Sequence, residues 1–296
     1  MRIGLIDVDG HSGFPNLALM KLSAWHKNRG DSVEWYYPIE HDEKHPLDRV
    51  YMSKVFTFTP DYEPIVYAKE IITGGTGYKN YGALPEEIEK TFPDYSIYPN
   101  VDYAVGFLTR GCIRHCPWCI VPTKEGKLHA ADTWKEIRRP DSKKIVFLDN
   151  NVLASDHGLR QMQSMVGQNI RIDFNQGMDA RLVDRDVAEL LGRLKWIRFI
   201  RFSSDTEEMI PVIERAVELL KKEEIPPSKV FVYALIQDVQ EAHRRIVALD
   251  KLGVDVFAQP YIDFNGGKPT EEQKRLARWC NMKAAFHSCT FEEFTR

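Results

Sequence analysis

No stretch of this sequence holds about 18 consecutive apolar residues, the length a helix needs to cross a bilayer. A membrane-spanning protein is therefore not expected. The N-terminus, Met1-Arg2-Ile3-Gly4-Leu5-Ile6-Asp7, lacks the long apolar region and cleavage site of a secretory signal. A charge excess is missing too: 40 basic against 43 acidic side chains leave a formal charge of −3. That removes the global electrostatic footprint of a nucleic-acid-binding chain, though not a small basic groove, so nucleic acid is left open as a partner. No internal repeat or low-complexity segment stands out. Cysteine is scarce. There are five, three of them clustered, which does not make a disulfide framework and points to the reducing cytoplasm.

What is present suffices for a sizeable core. The chain has 296 residues, 43% hydrophobic and 28% charged, enough for one large domain or two unequal ones. Its most informative stretch is Gly111-Cys112-Ile113-Arg114-His115-Cys116-Pro117-Trp118-Cys119, with cysteine spacing C-x3-C-x2-C. Thiolates this close suit an iron–sulfur cluster or zinc. A fourth cysteine is lacking nearby, because the next are Cys280 and Cys289. Structural zinc takes four protein ligands, so His115 or His129 would have to complete such a site. A cubane cluster on three thiolates instead leaves one iron open to a small molecule. Cys280 and Cys289 read as a buried thiol and a packing thiol.

The first hundred residues read as a small doubly wound α/β domain, 1–100. Ile3 to Ile6 is a buried strand, Pro15 opens a helix that Gly30 stops, and Ser32–Tyr37 and Val50–Phe58 are further strands. Ile71-Ile72 leads into Thr73-Gly74-Gly75-Thr76-Gly77, which is neither a Rossmann fingerprint nor a Walker A loop. Leu84–Lys90 is a short acidic helix. The loop Asp9-Gly10-His11-Ser12-Gly13 offers Asp-x-His as a candidate metal-ligand pair, against the plainer reading of a loop histidine among turn glycines. Asp94–Asp102, rich in tyrosine, proline and asparagine, has the composition of a linker.

From Tyr103 the pattern alternates strand and helix. Strands are expected at Tyr103–Leu108, Lys144–Leu148, Arg171–Phe174, Trp196–Phe202, Lys229–Ile236 and Val254–Gln259, with helices at Leu159–Val166, Val183–Leu194, Ile210–Lys222 and Val239–Leu252. About six β/α units of this kind predict an α/β fold with a partial (β/α)6 barrel over 101–265. Polar residues recur just after the strands: the cysteines, Asp149, Gln176, Ser203, Gln237 and Gln259. In a β/α barrel that rim builds the active site. A helical tail, 266–296, starts at a capping box, Thr270 to Gln273.

Together these residues have a family likeness. The C-x3-C-x2-C loop after the first strand of a six-unit β/α domain resembles the radical S-adenosylmethionine (radical SAM) superfamily, including the aromatic Trp118 before the last cysteine. The longer string Thr109-Arg110-Gly111-Cys112, Cys116-Pro117-Trp118-Cys119-Ile120-Val121-Pro122 and Gly126-Lys127 is similar to the methylthiotransferase and cobalamin-dependent branches. The resemblance runs from about Asp102 to Tyr261 and implies that Cys112, Cys116 and Cys119 hold a [4Fe–4S] cluster. It further implies that the open iron binds S-adenosylmethionine (SAM), cleaved reductively to methionine and a 5′-deoxyadenosyl radical that attacks a substrate. The protein supplies the site, its orientation and a dry pocket. An electron donor such as flavodoxin or ferredoxin follows as a partner.

The resemblance also assigns SAM contacts. The family has a Gly-Gly-Glu-like segment after the second strand; here it reads Leu148-Asp149-Asn150-Asn151, which departs from that consensus. Asp149 and Asn150 are candidates there, with Gln176, Arg181, Ser203 and Asp205 at later strand ends. Arg181 either meets the methionine carboxylate or pairs with Asp179 or Asp184. Trp118 either shields the cluster or packs near adenine, and Arg114 and His115, between the ligands, either tune its charge environment or are solvated loop residues, an alternative that holds for Trp118 too. The N-terminal domain is similar to a shortened cobalamin-binding domain, through its first loop, Ser53, Gly74-Gly75 and Leu84-Pro85-Glu86-Glu87. In Asp9-Gly10-His11-Ser12-Gly13 the glycine stands one residue early for the cobalt-ligating D-x-H-x-x-G motif, so an inherited scaffold is expected, with cobalamin an open cofactor. No RNA-binding module is recognisable after the barrel, which weakens methylthiolation of tRNA. The expectation is a radical SAM enzyme of unknown substrate, with two alternatives: a cobalamin-dependent methyltransferase or methylthiotransferase-like enzyme, and a non-catalytic iron–sulfur or zinc protein.

Overall fold

Short apolar runs bounded by polar loops pair in parallel when helices or loops carry the chain back over the sheet. A computed structural model of the chain describes residues 1–264 and 267–295. Its contacts divide it into two compact units, Met1–Asp102 and Tyr103–Arg296. Both are mixed α/β with parallel sheets, and no described helix is long and apolar enough to cross a membrane. The boundary expected at 265/266 lies outside the described residues.

In the first unit, strand β1 (Arg2–Asp7) leads through helix α1 (Leu17–Asn28) to β2 (Ser32–Trp35), followed by β3 (Arg49–Ser53), β4 (Ile71–Gly74) and the short helix α2 (Glu86–Glu89). The sheet order β2-β1-β3-β4, all parallel, turns back at β1, as a doubly wound sheet does. Alternation along β1 feeds two small cores. Ile3 and Leu5 meet Leu19, Leu22 and Ile88, while Ile6 meets Tyr36, Leu47 and Val50. Position 4, on the second face, suits glycine, because a Cβ there would stand 2.6 Å from the Leu47 side chain. Only the β1–β2 connection carries an α-helix. Pro15 precedes that helix instead of opening it, because the Asn16 side chain caps the Leu19 amide at 3.2 Å. The third strand stops at Ser53. The aromatic alternation that extended it belongs to Phe56 and Phe58, which stack on each other in an exposed loop with centroids 5.1 Å apart.

The second unit opens with β5 (Ala104–Gly106), then β6 (Thr109–Arg110), α3 (Val121–Lys124), β7 (His129–Ala130) and α4 (Trp134–Ile137). Five more strands follow: β8 (Lys144–Phe147), β9 (Arg171–Phe174), β10 (Ile200–Ser204), β11 (Val230–Ile236) and β12 (Asp255–Pro260). Between them run α5 (Asp156–Met165), α6 (Arg185–Arg193), α7 (Ile210–Lys222) and α8 (Val239–Lys251), and α9 (Glu271–Asn281) and α10 (Lys283–Phe286) close the chain. Two parallel sheets form, β5-β8-β9 and β10-β11-β12. Parallel bridges Ile172–Trp196 and Met178–Phe202 join them, so the strands follow one another in chain order. One face of β11, with Val230, Val232, Ala234 and Ile236, is sealed under the helices; Phe231, Tyr233 and Leu235 on the other face are half-buried. Helix α6 begins at Arg185, two residues later than its apolar pattern suggests, because Asp184 caps the Val187 amide at 2.9 Å. The tail does not stand apart: Leu276, Trp279 and Cys280 of α9 are buried in the same core as Ile246 and Val256.

Candidate metal centre

The cysteine loop is a lobe pinched at its base. After β5 the chain runs through Phe107 and Leu108 into β6, which pairs antiparallel with β7: Thr109 with Ala130, Arg110 with His129. Gly111 makes the turn into the lobe at φ 78°, a left-handed conformation that disfavours side chains. Its hydrogen faces the returning strand, where a Cβ would come within 2.4 Å of the Lys127 carbonyl. The sequence led the strand straight into the cysteines; the two-residue ribbon between them has no periodicity to betray it.

Three consecutive side chains after β8 hold this lobe. Asp149 is buried and accepts from the Leu108 amide at 3.1 Å, the Thr109 amide at 2.6 Å and the Thr109 hydroxyl at 2.7 Å. Burial pushes its pKa up to about 7 against the pull of these donors. Both its oxygens are taken by donors of Leu108 and Thr109, so it supports the loop. Asn150 donates to Glu125 Oε2 at 2.8 Å, and the same oxygen accepts the Gly111 amide at 2.9 Å. Asn151 donates through Nδ2 to Cys112 Sγ at 3.4 Å, and the Arg114 amide lies 3.3 Å from the same sulfur. The Asn151 Oδ1 atom is buried with no hydrogen-bond partner.

Later strand ends reach the lobe from its other side. Asp179, after β9, accepts from Arg114 Nε at 2.9 Å and from Arg181 Nε at 2.7 Å. Burial works against its charge, but the two guanidinium groups hold its pKa below the usual carboxylate range. Asp205, after β10, accepts from Trp118 Nε1 at 3.2 Å, and burial raises its pKa. Cys116 and Cys119 are both raised, first by burial; Asp205, Cys112 and Asp179 add negative field at Cys116, and Arg181 offsets part of it. Arg245 on α8 is fully buried beneath this end. It donates to the Ser204 carbonyl, to the Leu235 carbonyl at 2.6 Å and to Glu241 at 2.8 Å, tying β10 to β11.

The residues named from sequence thus divide. Cys112, Cys116, Cys119, Trp118, Arg181 and Asp205 share one neighbourhood. Arg181 pairs with Asp179, one of the two partners foreseen for it. Ser203 stands next to Gly177 at the end of β10, within 3.1 Å of where a Cβ of Gly177 would lie. Gln176 is exposed. In the first unit, the Asp9 carboxylate is buried and taken by the Val55 amide and the Thr59 hydroxyl, while His11 is exposed. They do not come together as a ligand pair. Glu125, Asn151 and Arg245 were missed, and Asp179 was foreseen as a partner of Arg181 but not of Arg114; among the missed residues only Arg245 carried a readable signal, its i,i+4 spacing from Glu241 on a helix.

Among the described residues, no group of three or more His, Cys, Asp and Glu side chains is drawn together as the ligands of one ion. The chemistry of the donors still fits a group held by three thiolates. All three are free thiols, half-buried on one loop. Two donors meet Cys112 Sγ, as a thiolate requires, and a buried acceptor beside it is left open. A fourth protein ligand is not evident: His129 turns Nδ1 to the Lys127 carbonyl at 2.9 Å on the exposed ribbon, and His115 is exposed. Cys280 is buried against the Val256 carbonyl, 3.8 Å away, and Cys289 lies 3.4 Å from the Ala285 carbonyl.

No protein-family model matches the chain, and no curated protein matches it.

Proposed function

We propose that this chain is a radical SAM enzyme, with Cys112, Cys116 and Cys119 as ligands of a [4Fe–4S] cluster at the strand ends of a partial β/α barrel. The observation that carries the reading is the tethering of one three-thiol loop to three successive strand ends, through Asn151, Asp179 and Asp205. The chain-order succession of parallel strands from β5 to β12 supports the barrel. Bound at these thiolates, such a cluster supplies the electron that splits SAM into methionine and a 5′-deoxyadenosyl radical.

The chain's own residues do the rest. Asp149 and Glu125 fix the base of the lobe, so the thiols are presented at one place. Arg181 offers a cation beside them, suited to a carboxylate, and its bond to Asp179 restrains the side chain that would meet it. Asp205, held by Trp118, offers an acceptor for hydroxyl or ammonium donors. Trp118 is anchored by its indole N–H to the end of β10. For the first unit, a cobalamin-binding ancestry remains the reading of its sequence and strand order, and Asp9 is not free to act with His11.

Anaerobic reconstitution with iron and sulfide, followed by SAM and dithionite, tests the proposal. Production of 5′-deoxyadenosine is expected. A full complement of cluster without any cleavage of SAM contradicts the radical reading, and one zinc per chain with no iron uptake favours the binding protein.

A further inference from the structure

Asn151 follows β8 and is almost fully buried, yet half of its amide has no partner. Its Nδ2 reaches Cys112 Sγ at 3.4 Å, while Oδ1 finds nothing. A buried polar atom without a hydrogen bond is uncommon and calls for a reason. Packing alone would be served by leucine, which has nearly the same shape and no polar atom to leave unmatched. What the amide supplies here and leucine could not is an N–H directed at the sulfur.

We infer that Asn151 is a positioning residue for the sulfur of Cys112 and sets how readily the metal centre is reduced. The inference rests on the three-thiolate reading above. A hydrogen bond to a ligand sulfur withdraws electron density from the metal and favours the reduced state, which carries one more negative charge. The Arg114 amide supplies a second donor to the same sulfur, but it is backbone and belongs to the loop itself. Asn151 is the donor that comes from a different strand end. The centre's potential is therefore coupled to the seating of the lobe on β8: if Cys112 moves away from Asn151, reduction becomes harder.

The test is redox titration of the reconstituted full chain by EPR, comparing the wild type with Asn151→Leu and Asn151→Ala. The Leu variant removes the donor and excludes water. The Ala variant leaves room for a water to donate in its place. The expected result is a lower midpoint potential in Asn151→Leu, a smaller drop in Asn151→Ala, and unchanged iron and sulfide content. Equal potentials in all three proteins overturn the role of Asn151 and leave the three-thiolate centre standing. Loss of iron in both variants overturns it as well, since Asn151 would then hold the centre together instead of tuning it. If the Leu variant alone fails to fold, the Ala variant and the exchangeable-deuteron coupling in pulsed EPR decide, with loss or weakening of that coupling expected. A wild-type chain that takes up no iron overturns the cluster reading and this inference together.

Discussion

At the scale of single residues, ligands and supports are different side chains with different expected losses. Replacing Cys112, Cys116 or Cys119 by alanine should abolish iron uptake, measured colorimetrically after reconstitution. Cys280→Ala should keep its iron while losing roughly 1 kcal/mol of stability in urea, the effect of a small cavity in a core. Asp149 makes a different prediction. Its folded pKa of about 7 lies above the value of about 3.9 for a free aspartate, so folding favours its neutral form. The stability this contributes is complete below about pH 4 and is lost as pH rises to about 7. The stability difference between wild type and Asp149→Asn, read from urea midpoints, should therefore shift against the wild type across that window. A flat difference would show that folding does not raise the pKa of this carboxyl. The cysteines were legible in the sequence because their spacing is local. The bonds of Asn151 to Cys112, Glu125 to Gly111 and Asp179 to Arg114 were not, because their partners lie 39, 14 and 65 residues away.

At the scale of elements, periodicity found what is long and amphipathic and missed what is short. Helices α7 and α8 were legible to within a residue or two because apolar positions such as Ile213, Ala216, Val217 and Leu220 recur at helical spacing. The ribbon of β6 and β7 was not, since two residues carry no pattern. The capping box at Thr270 was visible, and its geometry is reciprocal: the Gln273 amide reaches Thr270 Oγ1 at 3.2 Å, and Gln273 Oε1 accepts the Thr270 amide at 2.8 Å. Gln273 also donates to the Gln237 carbonyl at 2.7 Å, joining α9 to the end of β11. Thr270→Ala should lower the stability of the second unit by about 0.5–2 kcal/mol in urea unfolding. Because α9 shares the main core, the loss should appear in the whole transition. A separate early transition for the tail would contradict that packing.

At the scale of the whole molecule, two units with different strand logic are joined in one chain. The first turns back at β1, and the second follows chain order from β5 to β12. The order was partly readable, since alternating strand and helix patterns imply parallel pairing. The two helices of the first unit were readable as well, but its loops from 36 to 48 and 54 to 70 were not, because they bury aromatic and aliphatic side chains such as Tyr36 and Leu47 without helical spacing. The central claim is that three thiolates leave the centre one open position for SAM. The most direct measurement is the EPR spectrum of the reconstituted, dithionite-reduced protein with and without SAM. Added SAM is expected to change the g-values of the reduced cluster. A spectrum identical with and without saturating SAM would contradict the claim.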